Sequence, residues 1–366
     1  MERLLASRTL PRSALAGAAL AVIALGGCAG GEGESTITAS TTTTTTTGET
    51  ESESESESTT EAIEPPAPKG WEVMLSADQE LGSIFSVWAD GPETIMAVGG
   101  QPLAGVVLTL EGDTWARDET LPTIPRLSWI HGIGDFRAAV GYFGVIARRI
   151  DGAWIVESSP IEAPLWGVWG ASPDDLWVVG GGTDEKKPLL LHYDGGAWAE
   201  VDILPLVGDA NALYKIWGRA ADDIYAVGAR GVILHWDGLA WSREEVSTTS
   251  TLIGVDGDDD EVIVAGGRST GIVLRKVPGG EWTGLVFPED EGFDGALLED
   301  DGRATVVGRR GFVAAFASES LVYTREESGV DHEIHSVYAV PGGPVLAVGG
   351  HFDVAPYTGV ILRRIE

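Results

Sequence analysis

A unit that repeats through most of this chain constrains its fold more than any other sequence feature. The clearest copy, at 165–202, reads LWGVWGASPDDLWVVGGGTDEKKPLLLHYDGGAWAEVD. It contains four apolar or alternating segments separated by turn residues, which predicts a four-stranded antiparallel sheet. Such a sheet cannot cover its own faces, so it needs copies of itself as neighbours.

In each copy the second predicted strand ends in a hydrophobic residue followed by glycine. Alignment on this step gives seven copies, spaced 38 to 48 residues apart, at Gly99, Gly141, Gly180, Gly228, Gly266, Gly308 and Gly349. The period is typical of β-propeller blades with four strands. The fourth strand is marked by an aromatic residue, at Trp115, Trp154, Trp198, Trp241, Trp282 and Tyr323.

The seventh copy reaches Glu366 without a fourth strand, and a candidate lies at the other end of the repeats. GWEVML at 70–75 resembles GAWAEV at 196–201. A strand that completes the last blade would close the ring and remove two free sheet edges. We therefore expect an all-β, seven-bladed propeller of four-stranded blades over residues 70–366, with Trp71 in the same sheet as 359–365.

Residues 1–27 are typical of a signal peptide, because three arginines precede an apolar run, 14–25, that is too short for a comfortable membrane span. The run ends in LGGC, which resembles the lipobox of bacterial lipoproteins. This resemblance implies cleavage before Cys28, the single cysteine of the chain, and stable anchoring by acyl chains. Residue Ala29 is not the aspartate that keeps many such proteins at the inner membrane. We expect a lipid-anchored protein of the bacterial cell envelope, at the outer membrane or cell surface; an ordinary signal peptide is the alternative.

Residues 28–69 contain seven consecutive threonines, the alternation ESESESES and the run PPAP. They cannot bury enough apolar surface to offset their ordering entropy, so we predict a disordered stalk. The formal charge of the chain is −32, and counting Lys, Arg, Asp and Glu by segment leaves −26 for 70–366. A domain this acidic repels phosphate backbones, so nucleic acid is not an expected partner.

The units VWGASPDDLWVVGG and GVILHWDGLAW resemble the BNR or Asp-box propellers, especially the photosystem II assembly-factor-like branch, and are similar to kelch repeats. The Asp-box pattern is Ser-x-Asp-x-Gly-x-x-Trp. Here Asp194 and Asp237 precede Trp198 and Trp241 by one residue fewer, and the serine is missing. The departure weakens any transfer of sialidase catalytic residues to this chain.

No local motif predicts catalysis, so we expect no catalytic residues, metal or cofactor. Three patterns have functional alternatives. DHEIH offers His332, Glu333 and His335 to a metal, and the acidic turn Asp258–Glu261 is a passable calcium candidate. The equivalent first-strand residues either pack between blades, which we favour, or surround a central ligand: Trp88, His131, Trp169, Trp217, Asp256, Leu297 and Tyr338. His192 and His235 share one third-strand position, which indicates packing.

The candidate binding residues are cations in the loops between second and third strands, which share one rim of a propeller with the connections between blades. They are Lys186, Lys187, Arg230, Arg268, Arg309 and Arg310. A cationic arc of this kind would recruit an anionic group, opposed by acidic residues of neighbouring loops.

The expected function is that of a monomeric, non-enzymatic binding or scaffold module for a protein or an anionic glycan. The alternatives are a sialidase-like, glycan-active hydrolase and an envelope assembly factor without a small ligand. An arginine triad at one mouth of the ring would favour the hydrolase, and a large apolar patch would favour the scaffold.

We predict that Cys28→Ser abolishes lipidation, because no other thiol can carry the diacylglycerol. Incorporation of a fatty-acid probe should disappear and the protein should leave the membrane fraction. Unchanged labelling of the variant would contradict the lipobox.

Overall fold

The computed structural model describes residues 70–157, 159–182, 187–287, 292–317 and 322–365. Predictions for the signal peptide, Cys28, the stalk and Lys186 lie outside these ranges. The described residues form seven four-stranded antiparallel sheets, which confirms the predicted all-β, seven-bladed propeller. No helix within these ranges is long and apolar enough to cross a bilayer.

The 28 strands follow one another with little other structure. The first half of the chain supplies β1 (Trp71–Ala77), β2 (Ser83–Trp88), β3 (Met96–Gln101), β4 (Ala104–Glu111), β5 (Thr114–Arg117), β6 (Leu127–Ile133), β7 (Phe136–Gly141), β8 (Ile146–Ile150), β9 (Ala153–Glu157), β10 (Leu165–Ser172), β11 (Asp175–Gly181), β12 (Pro188–Tyr193) and β13 (Trp198–Glu200). The second half supplies β14 (Leu213–Ala220), β15 (Asp223–Gly228), β16 (Ile233–Trp236), β17 (Trp241–Arg243), β18 (Leu252–Gly257), β19 (Val262–Gly266), β20 (Ile272–Lys276), β21 (Thr283–Val286), β22 (Phe293–Leu298), β23 (Arg303–Gly308), β24 (Phe312–Ala317), β25 (Tyr323–Glu327), β26 (Glu333–Ala339), β27 (Val345–Gly350) and β28 (Gly359–Arg364). The described residues also contain one short helix, α1 (Leu204–Val207), and three 3-10 turns, Tyr142–Gly144, Ala229–Gly231 and Arg309–Gly311.

Blades 1 to 6 each use four consecutive strands, beginning with β2, and blade 7 contains β26, β27, β28 and β1. The inner strands β2, β6, β10, β14, β18, β22 and β26 contact one another in a closed ring.

The glycines that define the repeat are required by a close backbone approach. A Cβ atom on Gly99 would lie 2.0 Å from the carbonyl oxygen of Ser83, and on Gly349 it would lie 2.1 Å from that of Glu333. The same contact, at 2.0 to 2.3 Å, occurs at all seven glycines. Any side chain would push the second strand away from the first, so the sequence repeat reflects packing.

The inner-strand residues that were expected to pack between blades do so. Trp88 packs on Gly132 of blade 2, where an added Cβ would lie 2.6 Å from the indole. Trp169 packs in the same way on Gly218, and Trp217 on Gly257. Polar members bond to the same position of the next blade: His131 Nε2 lies 3.1 Å from Gly170 O, the Leu298 amide donates to Asp256 Oδ2, and Tyr338 donates to Ala89 O.

The ring closes through β1, as predicted. Trp71 pairs with Arg364 in the antiparallel register of β1 and β28. Its indole donates to Glu326 Oε2 of blade 6 at 2.8 Å, and Arg364 bonds Glu299 and Thr305 of the same blade. Equivalent fourth-strand indoles bond an acid of the preceding blade at Trp154, Trp198 and Trp282. The closing strand therefore repeats the contact that joins ordinary blades.

We expect Trp71→Ala to lower the free energy of unfolding by about 3 to 5 kcal/mol, because it opens a cavity and leaves the buried Glu326 carboxylate short of a donor. Val73 lies on the same strand and is 48% exposed, so Val73→Ala should cost less than about 0.5 kcal/mol. Denaturant unfolding of both variants measures the difference. Equal losses would contradict closure through Trp71.

Candidate ligand-binding site

A cavity of about 900 Å³ opens on the rim that carries the blade-to-blade connections and the loops between second and third strands. It lies over blades 5, 6 and 7. Three such loops and one connection contribute to its lining, which includes Arg268, Arg309, Arg310, Asp331, Glu333, His351, Phe352, Asp353 and Val354.

Three arginines and three acidic residues line the cavity, so its formal charge is balanced. Arg309 Nε lies 3.8 Å from Glu333 Oε2. Glu333 in turn interacts electrostatically with Asp294, and burial raises the pKa of both carboxyl groups. The two carboxyl groups bind a proton more readily than free carboxylates do, so together they carry less than two full negative charges. They therefore neutralise Arg309 only in part.

One wall of the cavity is apolar. Phe352 packs against Phe85, with ring centroids 4.3 Å apart, and against His335 at 5.6 Å. Val354 follows in the same loop and is 75% exposed. The cavity thus presents arginines beside an apolar surface.

The predicted cations divide into two groups. Arg268, Arg309 and Arg310 line this cavity together. Lys187 instead pairs with Glu200 at 3.1 Å, and Arg230 lies 3.6 Å from Asp209 on blade 4. The structure therefore brings three of the expected residues together and places two elsewhere.

Arg310 and Arg230 occupy equivalent backbone positions. Both adopt the left-handed conformation, with φ of 52° and 59°, in the 3-10 turn between second and third strands. The following glycine must stay small, because a Cβ on Gly311 would lie 1.9 Å from Val330 O. These turns hold the arginine backbone in one conformation, which costs free energy in a residue other than glycine.

A channel of about 280 Å³ runs along the inner strands. The sequence did not lead us to expect a buried charged residue there. Lys215 is buried there, with Nζ 2.9 Å from the centroid of the Trp129 ring and without a hydrogen-bond partner in the described part of the chain. Desolvation lowers the pKa of Lys215 well below its usual value, and the Asp294 charge opposes this. The only signal in the sequence was a lysine where six other blades have serine, tryptophan or glycine.

Two metal hypotheses are not supported by the geometry. His335 of DHEIH turns into the channel and bonds Phe85 O through Nδ1, whereas His332 stacks on His351, so the three predicted ligands do not converge. In the Asp258–Glu261 turn, Asp258 Oδ1 accepts the amides of residues 260 and 261, and the Glu261 carboxylate pairs with Arg275. These acids stabilise the turn and pair with a neighbouring strand, and aspartates are common in turns for the first of these reasons.

His192 and His235 pack as expected. Their rings stack on Trp177 and Tyr225, at centroid distances of 3.9 and 4.4 Å. Each also lies 2.8 Å from an aspartate of the same blade. Both histidines therefore have structural contacts that repeat between neighbouring blades.

The arginine grouping resembles one element of a sialidase site, but Tyr214, which interacts with Arg268, does not have the properties of a tyrosine nucleophile. Burial raises the pKa of the Tyr214 phenol, and the nearby Arg268 charge only partly opposes this. A nucleophilic phenolate requires the opposite shift and an adjacent base.

Comparison with known proteins shows the fold alone. No family model and no curated protein sequence matches this chain. Among solved structures, YCF48 from Cyanidioschyzon merolae is 14% identical, with a TM-score of 0.61 over 80% of this chain and 98% of that one. YCF48 bound to D1 peptide has a TM-score of 0.62 at 14% identity, covering 85% and 99%. The RRP9 WD40 repeats have a TM-score of 0.60 at 10% identity, covering 83% and 100%.

We predict that Asp256 makes the protein less stable as pH rises from about 4 to about 7. Burial raises the pKa of Asp256 to about 7, so the folded state keeps a proton that the unfolded state has already lost. The free energy of unfolding of Asp256→Asn, relative to wild type, should rise over this interval by at most about 4 kcal/mol and stay level above it. Urea titrations at a series of pH values measure it, with the exposed Asp259→Asn as control; a pH-independent difference would contradict the burial of this carboxyl group.

Proposed function

We propose that this protein is a non-enzymatic propeller that binds an extended segment of a partner protein at the rim cavity. The observation that carries the proposal is the placement of three arginines, at 268, 309 and 310, beside the half-buried Phe352 and the exposed Val354. Arginine guanidinium groups bind carboxylates through paired hydrogen bonds. A peptide offers a carboxylate and an apolar side chain at short spacing, which matches this combination.

A protein segment fits the cavity better than an anionic glycan. Asp331 and Asp353 share the cavity with the arginines and would repel a polymer with a negative charge on every unit. A peptide can place one acidic group near Arg309 and Arg310 and keep neutral residues elsewhere. The fold similarity to YCF48 bound to D1 peptide supports a peptide ligand, although each propeller presents its own loops.

The proposed setting is the bacterial cell envelope, with a monomeric propeller anchored through Cys28 and held away from the membrane by the 28–69 stalk. This proposal rests on the lipobox resemblance and the stalk composition. A binding role without catalysis agrees with the raised pKa of Tyr214, the tyrosine that interacts electrostatically with Arg268.

The test compares the double variant Arg309→Ser/Arg310→Ser with Arg230→Ser. Peptides of about 12 residues, displayed as an array with varied acidic and apolar content, identify binders, and fluorescence anisotropy then measures their Kd. Loss of charge-assisted hydrogen bonds should weaken binding by about tenfold to a hundredfold in the double variant. Wild-type binding should also weaken as salt rises from about 50 to about 300 mM.

Arg230→Ser is the matched control, because Arg230 has the same backbone conformation as Arg310 but lies outside the cavity. It should bind peptide as wild type does. Equal affinity of wild type and the double variant would move the site elsewhere. Binding of polygalacturonate but of no peptide would favour the glycan alternative.

A further inference from the structure

Three side chains with metal-binding atoms meet beside the rim cavity. Asp331 and His332 belong to the connection between blades 6 and 7, and His351 belongs to the loop between the second and third strands of blade 7. One ligand atom from each lies within 4.8 Å of the other two. The group is distinct from the DHEIH pattern, because its second histidine comes from another loop.

Hydrogen bonds to the backbone hold both loops in place at the two histidines. The Gly311 amide donates to His332 O at 2.7 Å, and the His351 amide donates to Thr358 O at 2.9 Å. Ser83 of the neighbouring blade also donates to His351 O, at 2.7 Å. These bonds place the two imidazoles face to face, with ring centroids 4.4 Å apart and an interplanar angle of 23°.

The nitrogen of His332 that faces Asp331 has no hydrogen-bond partner in the described part of the chain. His332 Nδ1 is buried, and Asp331 Oδ1 lies 3.8 Å away, beyond hydrogen-bonding distance. A buried polar atom without a partner is costly, and in a native protein it often marks a position completed by water or an ion. Asp331 and His351 are exposed and free to turn toward it.

We propose that Asp331, His332 and His351 bind one divalent transition-metal ion of the zinc class. Imidazole and carboxylate together suit zinc and its neighbours, whereas calcium and magnesium prefer sites built from oxygen alone. Tetrahedral ligands about 2.0 to 2.1 Å from a metal are roughly 3.4 Å apart, so side-chain rotations of Asp331 and His351 suffice to reach this geometry.

Three protein ligands leave one coordination position open. Asp331 and His351 also line the rim cavity, together with Arg309 and Arg310. The metal would tie the blade 6 to blade 7 connection to the blade 7 loop. Metal binding itself does not depend on the proposed function, because water can fill the fourth position.

The experiment uses the full chain without a histidine tag, treated with a chelator and then dialysed. Zn²⁺ is titrated in competition with a fluorescent zinc chelator, and Co²⁺ is titrated by visible absorption. We expect one equivalent of either ion to bind, the cobalt spectrum to indicate tetrahedral coordination, and the melting temperature to rise with added Zn²⁺.

The variant His351→Ala should weaken Zn²⁺ binding at least about tenfold without disturbing the fold, because His351 is exposed. Asp331→Asn should weaken it as well. His192→Ala is the control, because it removes a histidine that also lies near an aspartate, in blade 3, and it should retain wild-type affinity.

Absence of stoichiometric Zn²⁺ binding would overturn the proposal. So would equal affinity in wild type and His351→Ala, since the ion would then be held adventitiously at the acidic surface. Peptide affinity measured with and without Zn²⁺ separates this result from the proposed function: a protein that binds zinc but no peptide keeps the metal site and loses the peptide site.

Discussion

The propeller depends on one contact that is made around its inner ring. Near the end of the first strands, a side chain contacts the residue that follows its equivalent in the next blade. Where that side chain is tryptophan, as at Trp88 and Trp169, the receiving residue is glycine, because the indole occupies the space of a Cβ. Where that side chain is tyrosine or aspartate, a hydrogen bond to the next blade takes the place of this indole packing. Different residues therefore satisfy one geometric requirement.

The outer strands add a second link, which explains why β1 completes the last blade so well. A fourth-strand indole donates to an acid of the preceding blade, and Trp71 makes this bond to Glu326 although it is 255 residues away in sequence. The buried Arg364 bonds Glu299 across the same junction, so neither acid is left without a positive or polar partner. Ring closure uses the ordinary blade-to-blade contacts together with a buried ion pair.

The fold could be predicted because its requirements are local and repeated. Glycine at the second strand, tryptophan at the fourth and a period of 38 to 48 residues are all visible in the sequence. The rim cavity was only partly predictable, since loop conformation decides whether an arginine faces it or meets a nearby acid, as Arg230 meets Asp209. The meeting of His332 with His351 depends on how two loops pack. Sequence spacing does not contain that information.

Two residues that depart from the repeat, Lys215 and Asp294, link the channel to the rim. The positions that all blades share are already used for packing between strands and blades. Lys215 replaces the serine, tryptophan or glycine of the other blades, and Asp294 occupies the position between Phe293 and Gly295 where the strand register shifts. Asp294 interacts electrostatically with Lys215 in the channel and with Glu333 at the rim. A ligand carboxylate that binds at Arg309 would compete with Glu333 for the Arg309 guanidinium. Its negative charge would raise the proton affinity of Asp294 and Glu333. Ligand binding at this rim should therefore be linked to proton uptake by a group inside the propeller.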